Sequence, residues 1–154
     1  GVNHGGDMLI AEKLVDLAVA CKADAVKFQT FKAEHLILEE VEKAPYQKST
    51  TDASESQYSM LKKLEVTKSQ NLRLKKYCEK KGIVFLTTPF DEESLKEVDE
   101  LDLPAYKVAS TDITNLPFLK KIAQKGKDKN KKSSFCLYHS RYTMYTYKGL
   151  DCSE

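Results

Sequence analysis

Two lysines and a serine carry the clearest chemistry in this sequence. Lys27 stands in the run Ala25-Val26-Lys27-Phe28-Gln29-Thr30-Phe31. Lys107 and Ser110 stand in Ala105-Tyr106-Lys107-Val108-Ala109-Ser110-Thr111-Asp112. Each lysine falls toward the C-terminal end of a short, strand-like segment. Lys binds phosphate as a point charge, so two ammonium groups converging from separate strands suit a dianion. A hydroxyl from Thr88 or Ser110 would complete such a cradle. The competing reading is a solvated lysine at a strand end. That reading fits one lysine better than two in matching contexts with Gln29 and Thr88 alongside.

Other residues carry weaker signals. His4, beside Asn3 in the opening Gly1-Val2-Asn3-His4-Gly5-Gly6-Asp7, could act as a catalytic acid, a ligand or a turn residue. His35 and His139 have no evident partner in sequence. Glu92, Glu93, Glu97 and Glu100 read as the solvent face of a helix. No Ser-His-Asp or GxSxG arrangement is present, and Gly5-Gly6 lacks the spacing of a nucleotide fingerprint. Cys21, Cys78, Cys136 and Cys152 form no CxxC pair, which points to reduced, buried thiols in a cytosolic protein.

The elements that must position these residues follow from periodicity. In the first strand, Val26 and Phe28 face one way and Lys27, Gln29 and Phe31 the other. An amphipathic helix over residues 8–22 precedes it, with Leu9, Leu14, Leu17, Ala18 and Cys21 as the apolar stripe and Asp7 as cap. Residues 31–56 read as a long irregular insertion with turn composition. A short helix follows from Ser56 to Leu64. Thr67 caps another, running to Lys81 with Leu72, Leu74, Tyr77 and Cys78 apolar, and Gly82 stops it. A second strand spans about 83–88 and ends at Pro89. Asp91 then caps a helix carrying Leu95, Val98 and Leu101. The third strand spans about 105–110, before a helix from about Leu116 to Lys125 with Leu116, Leu119, Ile122 and Ala123 apolar.

Strands alternating with helices at this spacing predict an α/β fold with parallel pairing and right-handed crossovers. An open doubly wound sheet and a (β/α) barrel compete. The barrel is favoured, because Lys27 with Gln29, Thr88, and Lys107 with Ser110 all lie toward strand ends. A full (β/α)8 TIM barrel takes roughly 250 residues. The chain has 154 and so would hold only about half. Lys plus Arg is 25 and Asp plus Glu 23, a net charge of +2. That balance gives no reason to expect nucleic acid or an anionic membrane as partner. No apolar run approaches the roughly 20 residues of a membrane span. After Gly126 the pattern changes. Residues 127–154 open on a charge run, and four of the eight tyrosines lie within 138–147. A fourth apolar strand is due near residue 128, and the sequence shows only weak alternation at Tyr145-Thr146-Tyr147.

Taken together, GVNHGGD at 1–7, ADAVKFQTFKAE at 24–34, KAPYQ at 43–47, QYSMLKKLE at 57–65, GIVFLTTPFDEES at 82–94 and PAYKVASTDITNLP at 104–117 resemble the sialic acid synthase family, the N-acetylneuraminate and legionaminate synthases. The pieces fall in family order over about residues 1–126. The resemblance implies a (β/α)-barrel transferase of the cytoplasm, homodimeric in the family, that condenses phosphoenolpyruvate with an N-acetylmannosamine-type sugar. In that reaction C3 of phosphoenolpyruvate attacks the sugar aldehyde, water adds at C2, and phosphate leaves by C–O cleavage. It also implies a divalent metal, Mn2+ or Mg2+, that polarises the aldehyde. On matching motifs, Lys27 would bind phosphoenolpyruvate and Gln29 the sugar. Thr88, Lys107 and Ser110 would hold carboxylate and phosphate. Asn3 and His4 would line the floor beside the reacting carbons, and Tyr46 and Gln47 would lie over the sugar.

Departures from the family pattern set further expectations. The family's strand ending in a glutamate before the NH pair has no counterpart here, nor does its STGM-like loop after residue 127, nor its two metal-ligating histidines. A truncated or frame-shifted synthase gene is the expected source, with residues 127–154 an unmatched tail. Two alternatives remain. One is a non-catalytic fragment that binds a phosphorylated ligand or an intact synthase subunit. The other is a different phosphoenolpyruvate-using 3-deoxy sugar acid synthase, against which KAPYQ and TTPFDEES argue.

Overall fold

The computed structural model describes residues 1–38, 56–127, 134–139 and 143–147, with side chains as far as Lys125. The Asp7 carboxylate accepts the backbone N–H groups of Leu9 and Ile10, at 2.7 and 3.3 Å, and starts α1 (Met8–Ala20). Strand β1 (Ala25–Thr30) follows, then a single-turn helix α2 (Ala33–Leu36) inside the segment expected to be irregular. Helix α3 (Gln57–Leu64) leads to α4 (Lys68–Lys81), where Thr67 and Gln70 form a reciprocal capping box and Gly82 closes the other end. Next come β2 (Val84–Pro89), α5 (Glu92–Glu100) capped by Asp91, and β3 (Ala105–Val108). A 3-10 turn (Ser110–Asp112) leads into α6 (Leu116–Lys127), which continues through Gly126 instead of ending there.

Strands β1 and β2 pair in parallel from Ala25 opposite Val84 to Thr30 opposite Pro89. The fourth strand expected from residue 128 is β4 (Ser134–His139), six residues later, parallel to β3. Phe135 and Leu137 alternate with Ser134, Cys136 and Tyr138 there, a period of two that the preceding lysine run obscures in the sequence. A further strand, β5 (Thr143–Tyr147), turns back antiparallel to β4. β2 and β3 are neighbours, yet no hydrogen-bonded ladder joins them. Asp24 and Thr30 use their carbonyls to bind Val84 and Phe90, so the intervening odd-numbered residues of β2 turn their backbones toward β3. Pro89 is one of these and has no N–H to give.

The core lies between the sheet and its helices. Phe28 and Phe85 stack at 5.7 Å between ring centroids and pack with Leu74, Leu95, Val98 and Ile122. Each such side chain stabilises by about 1.5–3 kcal/mol through burial. The stripe expected on α1 is displaced. Ala11 and Val15 are the buried positions, while Leu9 and Leu17 are 63% and 61% exposed and Cys21 is also exposed. The helix is apolar on more than one side, and polar contacts choose between them. Glu12 pairs with Arg73 at 2.8 Å, and Asp16 accepts the Tyr77 hydroxyl and pairs with Lys81, which turns these two carboxylates toward α4. Similar shifts put Asn71 inside α4 with Leu72 partly exposed, and bury Phe118 with Ile122 in α6 while Leu116 stays exposed.

Candidate functional site

The parallel register assigns the two faces of the sheet. Phe28 lies opposite Thr87 and Val26 opposite Phe85, and Phe28 and Phe85 face the helices. Lys27 opposite Leu86, and Gln29 opposite Thr88, therefore lie on the other face. Tyr106 and Val108 of β3 belong to the helix-side core, so Lys107 between them points away from it. The structure thus brings Lys27, Gln29, Thr88 and Lys107 to the side of the sheet that the helices do not cover. Ser110 follows just past β3 and is exposed.

The electrostatics of this face favour an anion. Lys27 is half-buried, and burial holds its ammonium below the usual lysine value. Such a charge gains when a counter-anion replaces its lost water. Thr88 is 1% exposed and its Oγ1 has no hydrogen-bond partner among the described residues. A buried hydroxyl in that state is a donor in want of an acceptor.

Asn3 and His4 separate. Asn3 joins Lys27, Val26, Leu14 and Val15 in lining a cleft of about 190 Å³ beside β1. His4 does not lie on the Lys27 face. It is fully buried, its ring 5.9 Å from that of Phe28 on the helix side, and Nδ1 accepts the Gly6 N–H at 3.0 Å. Burial lowers its pKa, so the ring is neutral with its proton on Nε2, an atom without a partner among the described residues. The adjacent glycines bend the chain around this imidazole, which makes His4 a core element of the turn. Tyr46 and Gln47 lie outside the described residues.

Three groups near the strand ends do more than the sequence reading gave them. Asp112, two residues past Ser110, has a buried Oδ2 without a partner among the described residues, and burial raises its pKa. Its signal was the Ser-Thr-Asp run directly after an apolar strand. Asp91 caps α5 as expected. It also accepts the Lys32 N–H at 3.2 Å and faces His35 Nδ1 at 3.3 Å, so His35 does have a partner. Glu97, expected in solvent, pairs with Lys32 at 3.0 Å with both side chains mostly buried. These links fasten the start of α2 to α5 above the ends of β1 and β2. No group of three His, Cys, Asp or Glu able to hold a metal ion occurs among the described residues. Those residues therefore do not fit the divalent metal that the resemblance implies.

The chain is 48% identical over 127 residues to an N,N'-diacetyllegionaminic acid synthase of Campylobacter jejuni, covering 82% of this chain and 38% of that protein. It is 34% identical over 128 residues to human N-acetylneuraminate-9-phosphate synthase, covering 82% of this chain and 35% of the relative. Among solved structures, an N-acetylneuraminic acid (sialic acid) synthetase from Leptospira borgpetersenii superposes with a TM-score of 0.72 at 31% identity. That likeness covers 93% of this chain and 43% of the other. The chain spans less than half the length of each of these relatives. Its residues 14–129 match the NeuB family, and on that match the chain belongs to the NeuB family.

Proposed function

We propose that this chain forms roughly the first half of a (β/α)8 barrel in a synthase of nonulosonic acids. The reaction condenses phosphoenolpyruvate with an N-acetylmannosamine-type sugar and releases phosphate. The observation that carries this reading is the shared polar face of β1, β2 and β3, with two lysines and a buried Thr88 hydroxyl that has no partner among the described residues, in a chain of the NeuB family.

Each residue has a role that its surroundings support. Lys27, short of water, binds the phosphoenolpyruvate dianion, and Lys107 and Ser110 share its carboxylate and phosphate charge. Thr88 donates its hydroxyl to the same anion. Gln29, beside Thr88, offers its amide to the sugar. Asn3 stands next to Lys27 on the turn that buried His4 holds in place. The reaction as written forms no covalent bond to the protein, so binding and orientation account for most of what these residues do. The divalent metal takes no part in these assignments. Residues 130–154 lie beyond the family match and are not assigned to the site. The class of the sugar follows the relatives, one of which is named for a legionaminic acid and another for an N-acetylneuraminate phosphate.

Titration calorimetry with phosphoenolpyruvate tests the proposal. Binding is expected, and Lys27→Met and Lys107→Met are each expected to weaken it by about tenfold or more. A protein that binds no phosphoenolpyruvate, or binds it equally well in both variants, refutes the assignment.

A further inference from the structure

Behind the polar face runs a chain of three buried polar side chains. Asn71 Nδ2 donates to Thr30 Oγ1 at 3.0 Å, and the Thr30 and Thr87 hydroxyls share a hydrogen bond of 2.9 Å. None of the three residues is more than 1% exposed. They sit between α4 and the sheet, among apolar neighbours such as Phe28, Phe85, Leu74 and Cys78. Hydrogen-bonded polar groups in such a layer gain little over apolar side chains of the same shape. Stability alone does not account for them.

What they hold together does. Thr30 follows Gln29 and Thr87 precedes Thr88, and Gln29 lies opposite Thr88 across the ladder. Side chains alternate faces, so fixing Thr30 and Thr87 on the helix side fixes Gln29 and Thr88 on the other. Beyond the ladder between β1 and β2 and the Lys32 and Asp91 links past its end, no strand pairing holds these ends among the described residues. Pro89 offers no N–H toward β3, no ladder joins β2 to β3, and β2 is the only ladder partner of β1 among the described residues. Asn71 is itself well anchored. Its N–H binds the Thr67 carbonyl at 2.9 Å in the first turn of α4, beside the capping box.

We propose that Asn71 is a positioning residue, which through Thr30 and Thr87 sets Gln29 and Thr88 side by side on the opposite face of the sheet. The inference rests on the reading of that face as a phosphoenolpyruvate site. Asn71 touches no substrate. It acts through two threonines that also touch none.

Amide hydrogen exchange and calorimetry with phosphoenolpyruvate, on the same variants of the full-length protein, test it. Asn71→Leu and Thr87→Val remove the polar link while keeping the layer filled, and Thr87→Ser retains the hydroxyl. In the first two, exchange at the Thr30 and Thr88 amides should quicken about tenfold, the effect of one lost hydrogen bond. Exchange at Leu95 in α5 should stay as in the wild type. Affinity for phosphoenolpyruvate should fall about tenfold, and Thr87→Ser should restore both. If Asn71→Leu does not fold, the Thr87→Val and Thr87→Ser pair carries the measurement. Unchanged exchange at Thr30 and Thr88 overturns the inference, as does equal acceleration at Leu95, which marks a general loss of stability. Variants that bind phosphoenolpyruvate as tightly as the wild type also overturn it, and leave the site reading intact. A wild-type protein that binds no phosphoenolpyruvate, with the local exchange effect present, sinks the site reading and upholds the positioning role.

Discussion

Replacing Gly6 by alanine tests how tightly the first turn is built. Gly6 has φ of +85°, and a Cβ added there would lie 2.2 Å from the backbone oxygen of Lys63 at the end of α3. Gly5 provides an internal control, with φ of +58° and no atom within 4 Å of the place a Cβ would take. Both substitutions place an L side chain in the left-handed region, at about 1–2 kcal/mol. Only Gly6→Ala adds a collision, and the atom it meets is backbone that cannot swing aside. Relief requires the turn to move away from α3, which strains the Gly6 N–H bond to His4 Nδ1 and the packing of His4 on Phe28. Overpacking of this kind costs about 1–3 kcal/mol, and a weakened hydrogen bond adds about 1 kcal/mol. Gly5→Ala should therefore lose about 1–2 kcal/mol and Gly6→Ala about 3–6 kcal/mol. In a domain of this size each kcal/mol lowers Tm by about 2–4 °C. Urea unfolding of both variants at matched m-value gives the comparison. Equal losses at the two glycines would refute the reasoning, because the left-handed backbone would then explain everything and the contact with α3 nothing.

Four other outcomes are expected. Lys27→Met should leave the fold as stable as wild type or more so, because it removes a charge that burial disfavours, while weakening phosphoenolpyruvate binding. Calorimetry and thermal melts on one sample separate the two effects. Burial raises the Asp91 pKa, but hydrogen bonds from Ser94, His35 and the Lys32 backbone outweigh it, so the net shift is downward. A depressed carboxyl stabilises above its unfolded value of about 3.9 and loses that contribution as pH falls through its folded value. Asp91→Asn should cost about 1–2 kcal/mol at pH 7, with the gap to wild type narrowing below about pH 4. Thr67→Ala should cost about 1 kcal/mol by opening the capping box, seen as a lower urea midpoint at constant m-value. Leu9→Lys with Leu17→Glu should raise the solubility of the isolated chain in light scattering without lowering its Tm, since both leucines are exposed.

The order of elements was legible in the sequence because caps and breakers are local. Asp7, Thr67, Asp91 and Gly82 each act on neighbours within four residues, and each sits where its chemistry requires. The polar face was legible for a similar reason, since alternation alone separates Lys27 and Gln29 from Phe28. Which side of a helix is buried was harder to read. On α1 the choice of Ala11 and Val15 over Leu9 and Leu17 depends on Glu12 and Asp16 meeting Arg73, Tyr77 and Lys81, partners some sixty residues away. The same distance hid Asn71, whose hydrogen bond reaches Thr30 across 41 positions. His4 resembles a catalytic imidazole in sequence, and only the fold shows it turned toward Phe28. The strand at Ser134–His139 was masked by composition, because the lysines before it carry no period at all.

The missing ladder between β2 and β3 divides the sheet into two parts, and the two lysines fall on opposite sides of that seam. Lys27 belongs to the first part and Lys107 to the second. On the proposed reading, a dianion gripped by both would be a clasp as well as a substrate. Its binding free energy adds to whatever holds the halves together, by ordinary mass action. Ligand and backbone then share one task. Where the polypeptide leaves out a row of hydrogen bonds, the charge of such a ligand would close the gap, and the protein would be most firmly shut when loaded.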